Sequence, residues 1–195
     1  MHWSDECCFC LSKKNGNLRV WRRRGERFHR DCIADNRSSG RISCHVWGSV
    51  SNNCKLNLVV INGSLTAQKY IDNILRPEVE DHIDNHPLAD APIYQQDGAS
   101  VHTAHISQAF LQNAHINVLE GPAKSPDVNI MENIWSDMQE EIKNLPQLPG
   151  TAVQLRQAVI NAWNNVTQPS IRRLVASVPR RLRQIVAAEG GHINY

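Results

Sequence analysis

Apolar side chains alternate with polar ones in the first third of the chain, and this period of two predicts β-strands. The alternation covers residues 2–11 and 41–50, and a short apolar run follows at 56–61. Polar residues at 13–17 indicate a hairpin turn after the first segment, with residues 18–21 as the returning strand. We therefore expect an antiparallel meander of about three strands.

Apolar positions in the middle of the chain recur every three or four residues, which predicts helices. The first helix is expected to begin at Thr66, with Pro77 breaking or restarting it. Short strands are expected at 92–96 and 116–119, with a helix over about 103–113 between them. The middle of the chain therefore alternates between helices and strands.

Three further helices are predicted in the last third. The first carries a hydrophobic stripe formed by Met131, Ile134, Trp135, Met138, Ile142 and Leu145. Thr151 is expected to cap the second, and the third is expected to be interrupted at Pro179 and to stop at the two glycines 190–191. Antiparallel strands followed by βα units predict an α/β fold, a mixed sheet with helices packed on it. If the first and fourth strands pair, Asp5 and Asp97 become neighbours.

Length and composition favour a single domain. The chain has 195 residues, of which 41% are hydrophobic and 21% are charged, enough for a sizeable core. An acid stands where a signal peptide has its basic segment, and no apolar run approaches the roughly 20 residues of a membrane span. Because the sequence begins directly on a predicted strand, we expect a fragment or an excised domain. Because it has no membrane-length apolar run, we expect no membrane partner.

Six cysteines raise the alternatives of disulfides and zinc. Cys7 and Cys10 form a Cys-x-x-Cys pair, but positions three apart in a strand point to opposite faces, and no second pair follows at finger spacing. Cys32, Cys44 and Cys54 are isolated in the sequence. Reduced structural thiols are therefore expected, which indicates a reducing compartment.

Positive charge is concentrated in one segment. Residues 13–41 hold ten basic and three acidic side chains, a local charge of +7 in a chain whose formal net charge is +2. Within it, residues 22–40 have almost no apolar periodicity and are predicted to form a long basic loop or arm. Such a surface suits a phosphate polyanion, although a solvated arginine face is the alternative. A second basic cluster comprises Arg172, Arg173, Arg180, Arg181 and Arg183.

Three acids stand on separate predicted elements. Asp5 lies in the first strand, Asp97 follows the fourth, and Glu132 lies early in the helix with the hydrophobic stripe. Carboxylates on separate rigid elements can hold two hard cations, which activate one oxygen and stabilise another in phosphoryl displacement. Each acid also has an ordinary explanation as a strand-end, turn or helix-surface residue. Glu6 competes with Asp5, because strand alternation lets only one of them face the site.

Three blocks of sequence resemble the signature blocks of Tc/mariner superfamily transposases. They are HWSDE at 2–6, QQDGASVHTA at 95–104 and SPDVNIMENIW at 125–135. Near the C-terminus, VPRRL at 178–182 and GGH at 190–192 resemble the family's tail. The resemblance covers essentially the whole chain.

The resemblance also distinguishes between the candidate acids. The first block places the first acid at Asp5 and not at Glu6. The interval of 34 residues between Asp97 and Glu132, with Glu as the third acid, resembles the Tc branch of the superfamily. The implied site is an Asp-Asp-Glu triad of Asp5, Asp97 and Glu132 that binds Mg²⁺ or Mn²⁺, with two ions expected.

The family resemblance implies a fold and an activity. The fold is RNase H-like, of the retroviral integrase type, with a mixed five-stranded sheet flanked by helices. The catalytic domain would span residues 1–195, with its core at about 1–145, the basic arm at 22–40 and extra helices at about 150–190. Family members cut transposon ends by hydrolysis and join the 3′-hydroxyl to a TA target by transesterification. The implied partners are double-stranded DNA and, in the full-length synaptic complex, a second copy of the chain, and the implied compartment is the nucleus.

The resemblance implies DNA contacts on the basic arm, which in relatives reaches DNA or a partner subunit. The candidate DNA-binding residues are Arg22, Arg23, Arg24, Arg27, Arg30 and His102. His102 could alternatively orient the site or simply begin a helix. The paired helix-turn-helix domains that relatives carry upstream are not expected in this chain, so tight recognition of transposon ends is not expected either.

Several positions depart from the family pattern. Gly98 stands where Asn is usual, Val101 where Cys is usual, and Ile130 where Pro is usual. None of these changes removes an acid, but together they fit a decaying copy with reduced activity. Two alternatives therefore stay open: a transposase-derived DNA-binding or interaction protein with unused chemistry, and a free-standing RNase H-like nuclease.

Overall fold

A mixed five-stranded sheet forms the centre of the computed structural model, which describes residues 1–12, 41–85, 93–119 and 128–188. The strands are β1 His2–Ser12, β2 Arg41–Ser51, β3 Val59–Ile61, β4 Ile93–Gln95 and β5 Asn117–Val118. Their order is β3-β2-β1-β4-β5. The first three strands pair antiparallel, whereas β1 with β4 and β4 with β5 pair parallel. The predicted mixed sheet and the antiparallel meander are confirmed.

The helices follow the predicted order. They are α1 Ala67–Tyr70, a π-helical segment Ile71–Glu80, α2 Asp81–Asn85, α3 Ser100–Thr103, α4 His105–Asn113, α5 Ile130–Lys143, α6 Ala152–Asn165 and α7 Gln168–Ala187. The Thr66 and Thr151 side chains cap α1 and α6 by accepting from Lys69 N and Gln154 N. No helix within the described residues is long and apolar enough to cross a bilayer.

Two prolines behave differently from the sequence prediction, because neither interrupts its helix. Pro77 lies inside the π-helical segment, where Asp81 donates its N–H to the carbonyl of Arg76, five residues back. A wider hydrogen-bond register leaves room for the proline ring, which in an α-helix clashes with the carbonyl four residues back. Pro179 lies inside the continuous helix α7, whose buried Ile171 and Arg181 hold both halves against the domain.

The helix predicted over about 103–113 is confirmed as α4, and a separate helical turn, α3, precedes it. Ala104 has φ −59° and ψ 139°, a non-helical conformation that separates α3 from α4. The helical turn α3 therefore begins earlier than predicted, directly after the segment that contains Asp97. The hairpin predicted at 13–21, the basic arm at 22–40 and the glycine stop at 190–191 lie outside the described residues.

The sheet separates two hydrophobic cores. One face of β1 and β2 packs against α5, α6 and α7, with Trp3, Phe9 and Trp135 in that core. The opposite face packs against α1, the π-helical segment and α4, with Trp47 and Tyr94 in the second core. The predicted stripe of α5 is confirmed, since Met131, Ile134, Trp135, Met138 and Ile142 are all buried, and Leu145 is partly buried against the same core.

Candidate metal centre

The parallel pairing of β1 with β4 brings the first two predicted acids to one region of the sheet. Trp3 lies beside Gln95 in this ladder, and Ser4 Oγ donates to the Gln95 carbonyl at 2.8 Å. Continuing this register by two residues on each segment brings Asp5 opposite Asp97. The prediction that the first and fourth strands pair is confirmed.

Asp5 lies on the face of β1 that packs against α5. Its Oδ2 accepts a hydrogen bond from the indole N–H of Trp135 at 3.1 Å. Burial, together with the negative charges of Glu6 and Glu132, raises the pKa of the Asp5 carboxyl to about 7. Ionised Asp5 is therefore unfavourable until a positive charge is placed beside it.

Glu132 occupies the first turn of α5, where its side chain is exposed. Asn129 caps this helix by accepting from Met131 N at 3.1 Å. Ile130, which stands where the family usually has proline, is the first residue of the helix and is fully buried. The Asn129 cap and the buried side chains of Ile130 and Ile134, before and after Glu132, thus fix the start of α5.

Asp97 is held by one of its two carboxylate oxygens. Oδ1 accepts from Ala99 N at 2.9 Å and lies 2.7 Å from Nδ1 of His102. Within the described residues, Oδ2 has no hydrogen-bond partner, and the side chain is 57% exposed. Asp97 therefore keeps one carboxylate oxygen free in a fixed orientation, and it can bind a metal ion through that single oxygen.

His102 connects Asp97 to Glu6. Its Nε2 lies 3.1 Å from Glu6 Oε1, while Nδ1 faces Asp97, and the side chain is only 2% exposed. Burial by itself would lower the pKa of His102, but the hydrogen bonds and charges of Glu6 and Asp97 outweigh it and raise the pKa. The imidazole therefore bridges two carboxylates.

The structure gives Asp5 and Glu6 different environments. Because side chains alternate along a strand, Asp5 faces α5 while Glu6 faces His102 on the other side. Glu6 was considered only as a competitor for Asp5, and its contact with His102 was missed. No sequence signal identifies this contact, because Glu6 and His102 are 96 positions apart.

The predicted triad does not form a closed ligand set in this structure. Among the described residues, side-chain atoms of Glu6, Asp97 and His102 lie within 4.8 Å of one another, whereas Asp5, Asp97 and Glu132 do not form such a group. The donor set nevertheless fits a hard divalent cation. It offers carboxylate oxygens only, and the mutual repulsion at Asp5 is what a cation would relieve.

A buried arginine connects α7 to the residue that follows Glu132. Arg181 Nη1 donates to Asn133 Oδ1 at 2.9 Å, and its Nε donates to Ser177 Oγ at 2.8 Å. Arg181 is only 3% exposed. Arg181 belongs to the second basic cluster of the sequence, but in the structure its side chain fixes α5 against α7.

The predicted DNA contacts divide into two groups. Arg22, Arg23, Arg24, Arg27 and Arg30 lie outside the described residues. His102 is buried with both ring nitrogens engaged, so its position disagrees with a DNA-phosphate contact and agrees with the alternative of orienting the site.

Proteins similar to this chain are transposases. The chain is 27% identical over 193 residues to the Tc3 transposase of Caenorhabditis elegans, covering 99% of this chain and 57% of that protein. It is 26% identical over 196 residues to the Tc1 transposase of the same organism, covering 99% of this chain and 69% of that protein. The chain thus spans little more than half the length of the Tc3 relative.

Solved structures of a mariner transposase share the fold. The Mos1 paired-end complex with Mn matches with a TM-score of 0.74 at 15% identity, over 99% of this chain and 56% of that chain. The Mos1 catalytic domain with Raltegravir and Mn matches with a TM-score of 0.68 at 14% identity, over 78% of both chains. The predicted RNase H-like fold is confirmed. The model of the DDE superfamily endonuclease family matches residues 1–154, and the chain therefore belongs to this family.

Proposed function

We propose that this chain is the catalytic domain of a metal-dependent DNA transposase. It would hydrolyse phosphodiester bonds at transposon ends and join the 3′-hydroxyl ends to TA target DNA by transesterification. The observation that carries the proposal is the placement of Asp5 beside the β4 end that leads to Asp97, with Glu132 close enough to raise the pKa of Asp5. Family membership and the likeness to Tc transposases support it.

Each acid has a distinct part in this proposal. Asp5 is the half-buried ligand, held by the Trp135 N–H, and Asp97 presents its free Oδ2. Glu132 is exposed at the start of α5, where it completes the site on the side open to DNA. His102 holds the other oxygen of Asp97 and so limits its rotation.

We infer that the site takes Mg²⁺ or Mn²⁺, and that two ions bind. When bound, the divalent cations would lower the pKa of an attacking water and neutralise negative charge on the phosphate. Mos1 transposase structures described with Mn and with Mg support this choice of metals. The neighbouring carboxylates of Asp5, Glu6 and Glu132 provide the negative charge that two cations balance.

The partners follow from the proposed chemistry. Double-stranded DNA is the substrate, both as transposon end and as target, and the basic arm at 22–40 supplies phosphate contacts. A homodimer is proposed for the full-length synaptic complex, since the Mos1 structures include paired-end complexes. We propose the nucleus as its compartment, because the proposed target is double-stranded DNA.

The test is cleavage of transposon-end DNA by this chain joined to its DNA-binding region. With Mg²⁺ or Mn²⁺ present, we expect nicking at the end and strand transfer into DNA that contains TA. Asp97→Ala and Glu132→Ala should each abolish both steps. Glu140→Ala, which removes an exposed acid from the same helix α5, is the matched control and should remain active.

The outcomes separate the proposal from its alternatives. Activity that survives both Asp97→Ala and Glu132→Ala would contradict the mechanism. DNA binding without cleavage, and without binding of Mg²⁺ or Mn²⁺ at millimolar concentration, would favour a transposase-derived binding protein. Cleavage of DNA that lacks transposon ends would favour an RNase H-like nuclease.

A further inference from the structure

A second group of metal-ligating side chains lies on the sheet face opposite Asp5. A ring nitrogen of His2, the thiol of Cys54 and a ring nitrogen of His82 all lie within 4.8 Å of one another. His2 begins β1, Cys54 lies between β2 and β3, and His82 lies in α2. Three separate elements thus converge on one point, although their sequence spacing resembles no finger motif.

The group is distinct from the acidic site. His2 and Glu6 share one face of β1 and are four residues apart, roughly 13 Å along an extended strand. Asp5 points to the other face, toward Trp135. The acids proposed for phosphoryl transfer therefore do not coordinate a cation bound at His2.

The donor atoms match a soft or borderline metal. Two imidazoles and a thiol suit Zn²⁺, whereas Mg²⁺ prefers oxygen. Cys54 Sγ lies 3.4 Å from His82 Nε2. Tetrahedral Zn²⁺, with usual bonds to sulfur and nitrogen, separates these two atoms by about 3.5 Å. The two side chains are therefore already at the spacing of a tetrahedral edge.

An unpartnered nitrogen points to a missing ligand. His2 is 7% exposed, and its Nδ1 has no hydrogen-bond partner within the described residues. The His2 ring lies edge-on to the His82 ring at a centroid distance of 5.3 Å. The narrow crevice beside it is otherwise apolar, lined by Leu56, Val79, Ile83 and Tyr94. A bound cation would give the buried nitrogen a partner that its surroundings lack.

Cys54 is held in place by its own loop. Its N–H donates to Ser51 Oγ at 3.1 Å, and its carbonyl accepts from Ser51 N at 2.8 Å. Ser51 Oγ also lies 3.1 Å from Cys54 Sγ, where it can donate to a thiolate. The loop therefore presents the sulfur in a fixed direction and offers it a hydrogen bond of the kind that supports metal ligands.

We propose that His2, Cys54 and His82 form a binding site for a zinc-type divalent cation, with water as the fourth ligand. Binding replaces the Cys54 thiol proton, which leaves to solvent, so one proton is released for each ion bound. The ion would fasten the β2–β3 loop and α2 to the first strand. The site lies on the face of β1 opposite Asp5, so the ion takes no part in the proposed phosphoryl transfer.

The experiment uses Co²⁺ as a spectroscopic probe for zinc. Cys8 lies 3.1 Å from Cys10 and 3.3 Å from His45 at the surface and could bind Co²⁺ itself, so the whole chain is prepared with Cys8→Ser and Cys10→Ser as background. Excess Mg²⁺ occupies the oxygen site. We expect one Co²⁺ per chain, with a sulfur-to-cobalt charge-transfer band and displacement by Zn²⁺.

Variants assign the ligands. Cys54→Ser should remove the band, and His2→Gln or His82→Gln should weaken Co²⁺ binding at least about tenfold. His105→Gln, at an exposed helical histidine, should change nothing. A band that is missing from the background chain, or that survives Cys54→Ser, would overturn the proposal.

A labelling measurement needs no ligand substitution, so it holds even if a variant fails to fold. Alkylation of the half-buried Cys54 is followed by mass spectrometry with Zn²⁺, with Mg²⁺ and with neither. Protection by Zn²⁺ alone, by about tenfold or more in rate, is expected. Equal rates in all three conditions would contradict the site.

Discussion

Gly48 lies against Trp135, and a Cβ added to Gly48 would stand 2.8 Å from Cη2 of that indole. The same Cβ would stand 2.9 Å from Cη2 of Trp163, which stacks on Trp135 at a centroid distance of 5.6 Å. Gly48 is also the residue opposite Asp5 in the β1–β2 pair. The missing side chain therefore lets the two indoles rest on the sheet, and one of them donates its N–H to Asp5.

Gly48→Ala should destabilise the fold, because the two rigid rings cannot both move away from the new methyl group. We expect a loss of about 1–3 kcal/mol in the free energy of unfolding, as is usual for overpacking. Chemical denaturation measures it. Gly150→Ala is the control, since its Cβ would make only an ordinary contact at 3.6 Å. Equal stabilities for the two variants would show that Gly48 is not needed for the packing of the indoles.

Trp135→Phe should raise the pKa of Asp5 still further, because the Trp135 N–H stabilises the ionised carboxylate. A hydrogen bond to a charged group suggests a rise of about one pH unit. Carboxyl-carbon NMR titration of the metal-free chain measures it. Trp163→Phe is the matched control, because the Trp163 indole donates to the Leu56 carbonyl instead. This variant should leave the pKa of Asp5 unchanged. An equal pKa of Asp5 in the two variants would contradict the assigned contact.

The sequence was sufficient for the elements whose patterns are local. The alternation at 41–50, the stripe of α5 and the Thr151 cap all recur in the structure. These elements could be predicted because each depends on neighbours within a few residues. Asp97 and Glu132 were predicted as site residues from family motifs, since no periodicity singles them out.

The remaining features depend on contacts between distant segments. A proline inside a helix costs a local hydrogen bond, but at Pro179 the burial of α7 on the domain outweighs that local preference. The contact of Glu6 with His102 and the convergence of His2, Cys54 and His82 arise only when the sheet pairs. Sequence rules for single elements contain no information on such contacts.

Asp5→Asn should stabilise the metal-free chain at neutral and higher pH. The folded-state pKa of Asp5, about 7, lies above its usual value of 3.8, so the folded chain binds more protons between these values. Its stability therefore falls as pH rises from about 4 to about 7. The asparagine variant lacks this loss, and its advantage should grow from near zero at pH 4 to no more than about 4 kcal/mol at pH 8.

Thermal or urea unfolding at several pH values measures this difference. Mn²⁺ should reduce it by stabilising the wild-type chain, because a cation favours the ionised carboxylate. An advantage of Asp5→Asn that is independent of pH would contradict the burial of an ionisable group at this position.

His102→Gln should weaken Mn²⁺ binding by about 10- to 100-fold, because Asp97 loses the side chain that fixes its Oδ1. Calorimetric titration of the whole chain gives the affinity. His105→Gln, an exposed histidine on the following helix, should bind Mn²⁺ as the wild type does. Unchanged affinity in His102→Gln would remove His102 from the positioning of Asp97.

The most direct test of the central claim is anomalous diffraction from crystals of this chain soaked with Mn²⁺. We expect a manganese peak at about 2.0–2.3 Å from carboxylate oxygens of Asp5 and Asp97, with Glu132 close enough to bind directly or to a second ion. Asp97 should contribute the oxygen that His102 does not hold. A peak at Glu6 and His102 without Asp5, or no peak near these acids at saturating Mn²⁺, would contradict the account.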